Sequence, residues 1–451
     1  MLSPQPIVYC GALLSFAFFQ FYIFRIRVPD IARIDQSITN TPSLDAPTLL
    51  EHNETAADLR LPDQSITNTL SVDVPTPFEH NEAAADPLLP DVLRPRIRQV
   101  SMRVYNATNE TNDALDARCM ATHLEYGKRW GYPTHILRQD LSGKGEWRDL
   151  LFCKPLYLLS LTIAEMAKPP DERAEWLVFF DSDTILLNPN IPWTLFLPPS
   201  DFSQVHFLGG RDWGGGSGFN AGVFFVRISE WSVKMLTEVA ALPDLRKDVP
   251  IGDNAEQVAF RWVFVQVGYR ERVLYQPVEW FNSFEDSHGH LPPVQDGEML
   301  VHFSGLKKHK FGAERKWLDR LERAPHELQI PLENTNYQVN IDAYWTRLRD
   351  ARDTMQEAEQ FRNGNYTTRN IRLAKAKLQQ IVYDEANNSS LVLEAINQVK
   401  SALATAEFNP ADGRDMPIAA TNANIEFPAK RPQQVAWVPV DNKIKRAEVW
   451  E

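Results

Sequence analysis

Residues 176–183 read WLVFFDSD. Five large apolar residues in a row, Trp176 to Phe180, form the pattern of a strand buried on both faces. The run ends in Asp181-Ser182-Asp183. In extended chain, residues i and i+2 project to the same side, so two carboxylates are brought together. They repel and raise each other's pKa unless a cation neutralises them. A hard divalent ion with oxygen ligands does so, and it usually keeps positions open for substrate phosphates. The carboxyl edge of an open α/β sheet is also where ligands bind. Taken alone, Asp-x-Asp is equally satisfied by a strand that ends in an acidic turn.

Outward from this strand, apolar runs alternate with longer mixed stretches from Arg96 to Glu322, the texture of an α/β domain. Ile97 to Tyr105 is expected as a strand. Ala114 to Trp130 is expected as a helix that Gly131 caps. Thr134 to Leu137 is expected as a second strand. Trp147 to Met166 has helical spacing, with Pro155 as a flaw that starts a second helix. Asn220 in FNAG carries an amide suited to sugar hydroxyls, and Gly222 permits close backbone approach; a turn entering the strand Val223 to Val226 is the plainer reading. Gly214-Gly215-Gly216-Ser217-Gly218 lacks the G-K-[ST] ending of a phosphate loop and precedes a strand. It reads as a flexible loop lining the site. Residues 331–407 carry helical stripes, Leu378, Ile381 and Val382 in one and Leu393, Ile396, Val399 and Leu403 in another. They predict two or three helices, followed by an irregular tail over 408–451.

The N-terminal quarter differs. Residues 1–6 form a short tail. Ile7 to Phe24 carry no charge, close to the roughly 17–25 residues that a transmembrane helix needs. Residues 25–95 are polar and Pro-punctuated. They hold a 28-residue tandem repeat, Asp35 to Pro62 echoed by Asp63 to Pro90. Two polar copies cannot build a stacked core, so the segment reads as a disordered stem. Acceptor sequons occur at Asn53, Asn106, Asn109, Asn365, Asn387 and Asn388, compatible with a lumenal domain. Arg25 and Arg27 after the apolar run favour the opposite orientation under the positive-inside tendency. The chain has 451 residues, a formal net charge of −12 and three cysteines. Those figures exclude a broad nucleic-acid surface and a disulfide-dense scaffold.

Two enzyme chemistries fit Asp181-Ser182-Asp183. FFDSDTILL resembles the first motif of haloacid dehalogenase-like phosphatases, with Asp181 as nucleophile, and Gly252-Asp253 resembles their late acidic motif. That motif usually carries a second Asp four residues on, where this chain has Gln257. The other resemblance covers Val100 to Lys310. HLEYGKRWGYPTHI, WLVFFDSDTILLNPN, GFNAGVFFVRISEWS, EQVAF and VHFSGLK occur in order. Together they resemble nucleotide-sugar glycosyltransferases of the GT-A type, and more closely the retaining α-galactosyl-, α-mannosyl- and xylosyltransferases of glycosyltransferase family 34.

That resemblance implies a Rossmann-like GT-A domain over residues 96–330 and a metal-dependent hexosyltransferase acting with retention. It implies Asp181, Asp183 and His302 as metal ligands for Mn2+ or Mg2+. Lys154 and Lys307 would supply positive charge to phosphate, and Asn220 and Gly222 would meet the donor. Glu256 and Gln257 would lie nearest the sugar, with Asp253 one turn earlier. Glu279, Glu285 and Asp286 are further acidic candidates for acceptor contact. The donor would be UDP-galactose, GDP-mannose or similar, the acceptor a glycan or glycoprotein. The expected setting is a type II Golgi membrane protein anchored by residues 7–24 with a lumenal catalytic domain. A non-catalytic glycan-binding homologue is the third reading, and the intact Asp181, Asp183 and His302 set weighs against it.

Overall fold

The computed structural model describes residues 96–104, 110–143, 145–212, 218–285, 292–361, 366–408 and 414–417. The apolar run at 7–24, the repeat-bearing stem, Asp286 and the triple-glycine loop lie outside the described residues. No helix among the described residues is long and apolar enough to cross a membrane.

The architecture is mixed α/β. Six strands form the main sheet: β1 (Ile97–Met102), β2 (Thr134–Leu137), β3 (Trp176–Phe180), β5 (Phe207–Arg211), β6 (Phe219–Arg227) and β7 (Val273–Tyr275), in the order β2-β1-β3-β6-β5-β7. Five run parallel, and β6 runs antiparallel to both of its neighbours. A second sheet joins β4 (Thr184–Leu186), β9 (Leu300–His302) and β8 (Ser283–Phe284) in that order.

Strand β3 shows why the main sheet is covered on both faces. Side chains alternate across a strand. Trp176, Val178 and Phe180 enter one core, with Trp193, Phe196 and Phe225. Leu177 and Phe179 enter the other, with Phe207, Phe224 and Phe260. All five residues of β3 are buried. Each large apolar side chain so covered contributes about 1.5–3 kcal/mol.

The helices follow the sequence closely. α1 (Glu110–Trp130) ends where Gly131 takes a positive φ of 70°, and the Tyr132 amide bonds the Gly127 carbonyl at 2.8 Å. The helical stretch from Trp147 to Met166 forms two helices, α2 (Trp147–Leu151) and α3 (Cys153–Met166), broken at Phe152. Pro155 lies in the first turn of α3, where its missing N–H is not needed. α4 (Glu230–Leu245) and α5 (Ala255–Phe264) supply Met235, Leu236, Val263 and Phe264 to the second core. α6 (Lys310–Arg323) packs with α1 and the small sheet through Leu115, Ile185, Val301 and Trp317. α7 (Pro325–Leu328) is a single turn.

The C-terminal region holds α8 (Tyr337–Gln360), α9 (Arg369–Glu385) and α10 (Ser389–Phe408). α8 sends Ile341, Tyr344, Trp345 and Leu348 into the first core. Its far half builds a separate cluster with α9 and α10, around Ala351, Ile371, Leu378, Ile396 and Val399. The stretch expected to be irregular contains one short strand, β11 (Arg414–Pro417), which pairs antiparallel with β10 (Tyr366–Thr368). Of the three cysteines, Cys119 and Cys153 are buried free thiols.

Candidate metal and donor site

Two sheets meet at the carboxyl end of β3. The Asp181 amide continues the main ladder by donating to the Gly222 carbonyl at 2.8 Å. After one turn the chain enters β4, where Thr184 pairs in register with His302 of β9. The Phe303 amide then donates to the Asp183 carbonyl at 3.0 Å. Strand registry alone therefore sets His302 against the Asp-x-Asp turn, although more than a hundred residues separate them.

Ligand atoms of Asp181, Asp183 and His302 all lie within 4.8 Å of one another. His302 Nε2 is 3.5 Å from Asp183 Oδ1 and 4.0 Å from Asp181 Oδ2. Those spacings are long for hydrogen bonds, and they suit ligand atoms grouped around one ion with bonds near 2 Å. The His302 tautomer fits as well. Nδ1 lies 2.9 Å from Asn282 Oδ1, while Asn282 Nδ2 donates to Asn220 Oδ1 at 2.9 Å. Asn282 must therefore accept from Nδ1–H, which leaves the Nε2 lone pair facing the carboxylates. His302 is buried, whereas Asp181 and Asp183 remain 27% and 23% exposed, so the group opens to solvent on its acidic side. A buried imidazole with two carboxylates is a donor set able to hold a divalent metal ion.

Lys154 holds this edge together. Its ammonium is 2.9 Å from Asp181 Oδ1, and it donates to Glu256 Oε1 at 3.0 Å and to the Ala221 carbonyl at 2.8 Å. Three donors meet three oxygens. Burial works to lower the Lys154 pKa, but the charges of Asp181 and Glu256 prevail and raise it. The side chain is 2% exposed, so it positions Asp181 and Glu256 rather than facing solvent. Burial raises Asp181, and Asp183 beside it adds to the effect against the pull of Lys154. For Asp183 burial is outweighed chiefly by the charge of Lys310, which holds it below the usual range. One carboxylate is ready to bind a cation; the other gains most from one.

A second set of polar groups adjoins the first. Gln257 Nε2 donates to Asp212 Oδ2 at 3.0 Å, and Gln257 Oε1 accepts the Ala221 amide at 3.0 Å. Asn220 Nδ2 donates to Asp212 Oδ1 at 3.2 Å, and Asn220 Oδ1 accepts the Gly222 amide at 2.9 Å. The glycine is required: a Cβ at position 222 would lie 2.1 Å from His302 Cε1.

Lys154, Asp181, Asp183, Asn220, Gly222, Glu256, Gln257 and His302 thus come together. Asp253 is not among them. Asp253 is exposed and pairs with Arg148 at 3.1 Å, so the acidic partner a haloacid dehalogenase-like site needs is engaged elsewhere. Lys307 is exposed, with a φ of 47°. Glu285 accepts from Trp317 Nε1 at 2.8 Å, and Ser283 Oγ donates to the Glu279 carbonyl at 3.2 Å.

Four contributors escaped the sequence reading. Asp212 ends β5 as Asp181 follows β3, and an acid at a strand's carboxyl edge was its available signal. Asn282 sits between Phe281 and Ser283 with nothing in sequence to mark it. His123 stacks on Phe180 at 3.9 Å, and its Nε2 lies 2.8 Å from Thr184 Oγ1, which donates to the Asp181 carbonyl. Burial pushes His123 down to about 3, so its ring is neutral. Lys310 lies 3.6 Å from Asp183 Oδ2.

No protein-family description matches this chain, and no curated protein matches it. Among solved structures it is similar to a crystal structure of a glycosyltransferase involved in the glycosylation of the major capsid of PBCV-1. That likeness covers 49% of this chain and 100% of the other, at 19% identity and a TM-score of 0.39.

Proposed function

We propose that the protein is a metal-dependent glycosyltransferase that moves a sugar from a nucleotide-sugar donor to a glycan acceptor, with retention. The observation that carries this is the convergence of Asp181, Asp183 and His302 at the carboxyl end of β3, beside the amide-rich group of Asn220 and Gln257. The motif resemblance supports the finer reading of retention and of UDP-galactose, GDP-mannose or a similar donor.

Asp181, Asp183 and His302 would hold a Mn2+ or Mg2+ ion, which would supply positive charge to offset that of a donor diphosphate. Lys154 keeps Asp181 ionised and aimed. Asn220, Gln257 and Asp212 present donors and acceptors to sugar hydroxyls. In a front-side transfer the anomeric carbon–phosphate bond breaks, the acceptor oxygen bonds to that carbon, and the acceptor proton passes to the departing phosphate. No separate carboxylate base is required, and Gln257 stabilises the electron-poor sugar carbon. The apolar run at 7–24 and the sequons support a type II Golgi setting for the same enzyme.

The test uses the full chain with Mn2+, or with EDTA, and a panel of nucleotide sugars, measuring nucleoside diphosphate release. Metal-dependent release from one donor is expected. Asp181→Asn and Asp183→Asn should each lower the rate by about 100-fold or more. Undiminished release in both variants, or in EDTA, sinks the assignment.

A further inference from the structure

Lys310 and Glu314 lie one turn apart on α6. The Lys310 ammonium is 3.6 Å from Asp183 Oδ2 and 3.7 Å from Glu314 Oε1. An i,i+4 pair on a wet helix face contributes only a few tenths of a kcal/mol, least with lysine on the N-terminal side. This pair is different because Glu314 is fully buried and, among the described residues, neither of its oxygens has a hydrogen-bond partner. A buried carboxylate persists only where its charge is compensated. Asp116, buried on the facing helix α1, adds another acid, with Arg103 3.5 Å from its Oδ2. One ammonium is thus shared by two carboxylates and lies just beyond hydrogen-bond length from each.

Asp183 is also a metal ligand in the reading above, and the present inference rests on that reading. A divalent ion on Asp183 would bring two positive charges close to the ammonium in a poorly screened site. A refuge for the ammonium is Glu314, whose oxygens have no hydrogen-bond partner among the described residues. We propose that Lys310 and Glu314 form a two-position counter-charge for the metal centre. The ammonium is shared between Asp183 and Glu314 while no divalent ion is present and moves onto Glu314 alone when one binds. Glu314 is then a positioning residue: it receives Lys310 and so clears Asp183 for the ion. Without it, Lys310 competes with the metal for the same oxygen.

The experiment measures Mn2+ binding to the full chain, by the electron-spin signal of free Mn2+ or by calorimetry, at fixed pH and low salt. Glu314→Gln should weaken Mn2+ binding about tenfold, the low end for a partner behind a metal ligand. Lys310→Met should tighten it about threefold or more. The double variant should bind as Lys310→Met does, because Glu314 acts only through the lysine. Melting curves in EDTA check that each variant folds. If Glu314→Gln does not fold, the Lys310→Met arm decides alone. Unchanged binding in Glu314→Gln, the same tenfold loss in the Lys310→Met background, or no tightening in Lys310→Met would each overturn the proposal. Asp183→Asn distinguishes the two levels. Loss of Mn2+ in that variant, with no effect at Glu314, discards the lysine exchange and keeps the metal site. Full Mn2+ affinity in Asp183→Asn discards both.

Discussion

At the residue scale the site depends on groups that fix one another's orientation. His302 can offer Nε2 because Asn282 occupies Nδ1 and Asn220 occupies Asn282. Gly222 keeps the room that this imidazole fills. A methyl group there would meet His302 Cε1 at 2.1 Å and Nδ1 at 2.6 Å, and both belong to a ring already tied on one side. Gly222→Ala should therefore displace His302 and weaken Mn2+ binding at least about tenfold. Calorimetry checks this, and wild-type affinity would show that the ring can yield without cost. The sequence could mark Asp181, Asp183, Asn220 and Gly222 because each stands in a local pattern with a chemical meaning. Asn282 and Lys310 have no such pattern, and Asp212 has only its place just after a strand. They matter only through partners on other strands and helices, and pairing of that kind is settled by sheet order.

At the element scale, α8 shows how periodicity can reveal a helix and hide its use. The stripe in residues 331–407 predicted helices, and three are present. It did not separate helices that pack on each other from one inserted in the main core. Tyr344 makes that difference: it is buried, its hydroxyl donates to the Tyr275 carbonyl of β7 at 2.9 Å, and its ring meets Trp280 edge-on at 5.4 Å. Tyr344→Ala should cost about 3–5 kcal/mol, as large-to-small changes in tight cores do. Tyr344→Phe, which removes one hydrogen bond, should cost about 1 kcal/mol. Urea unfolding measures both. A loss below about 1 kcal/mol for the alanine variant would mean that α8 is an appendage. The break between α2 and α3 was legible for a plainer reason, since proline leaves a mark in any sequence.

At the scale of the whole molecule, the buried acids set how stability varies with pH. Burial pushes Glu298 up to about 7 and Glu314 likewise to about 7, while unfolded glutamate titrates near 4.3. An acid whose folded value lies above its unfolded one binds its proton more tightly when folded. Its favourable contribution is complete below about pH 4, declines as pH rises through the interval up to about 7, and is absent above. Glu298→Gln should remove about 1–2 kcal/mol of that dependence, discounting the full shift for partial exposure. Unfolding curves in EDTA at pH 5 and pH 8 decide this. The variant should gain on wild type only at pH 8, and parallel changes at both would reject the assignment. Composition counted these acids within a net charge of −12; it could not say which of them the fold would bury.

Strand β6 breaks step with β5 just at the site. Gly209 pairs with Phe224, yet the next residue, Gly210, pairs with Asn220. The interruption between them holds the Ala221 and Gly222 amides, which bond to Gln257 Oε1 and Asn220 Oδ1. Where strands pair in the middle of the sheet, amide protons bonded to main chain exchange only when strands part. Here two amides are guarded by side chains that a bound sugar would recruit. Their exchange with deuterium would register occupancy of the site directly, at two named positions in mid-sheet and without any label on the ligand.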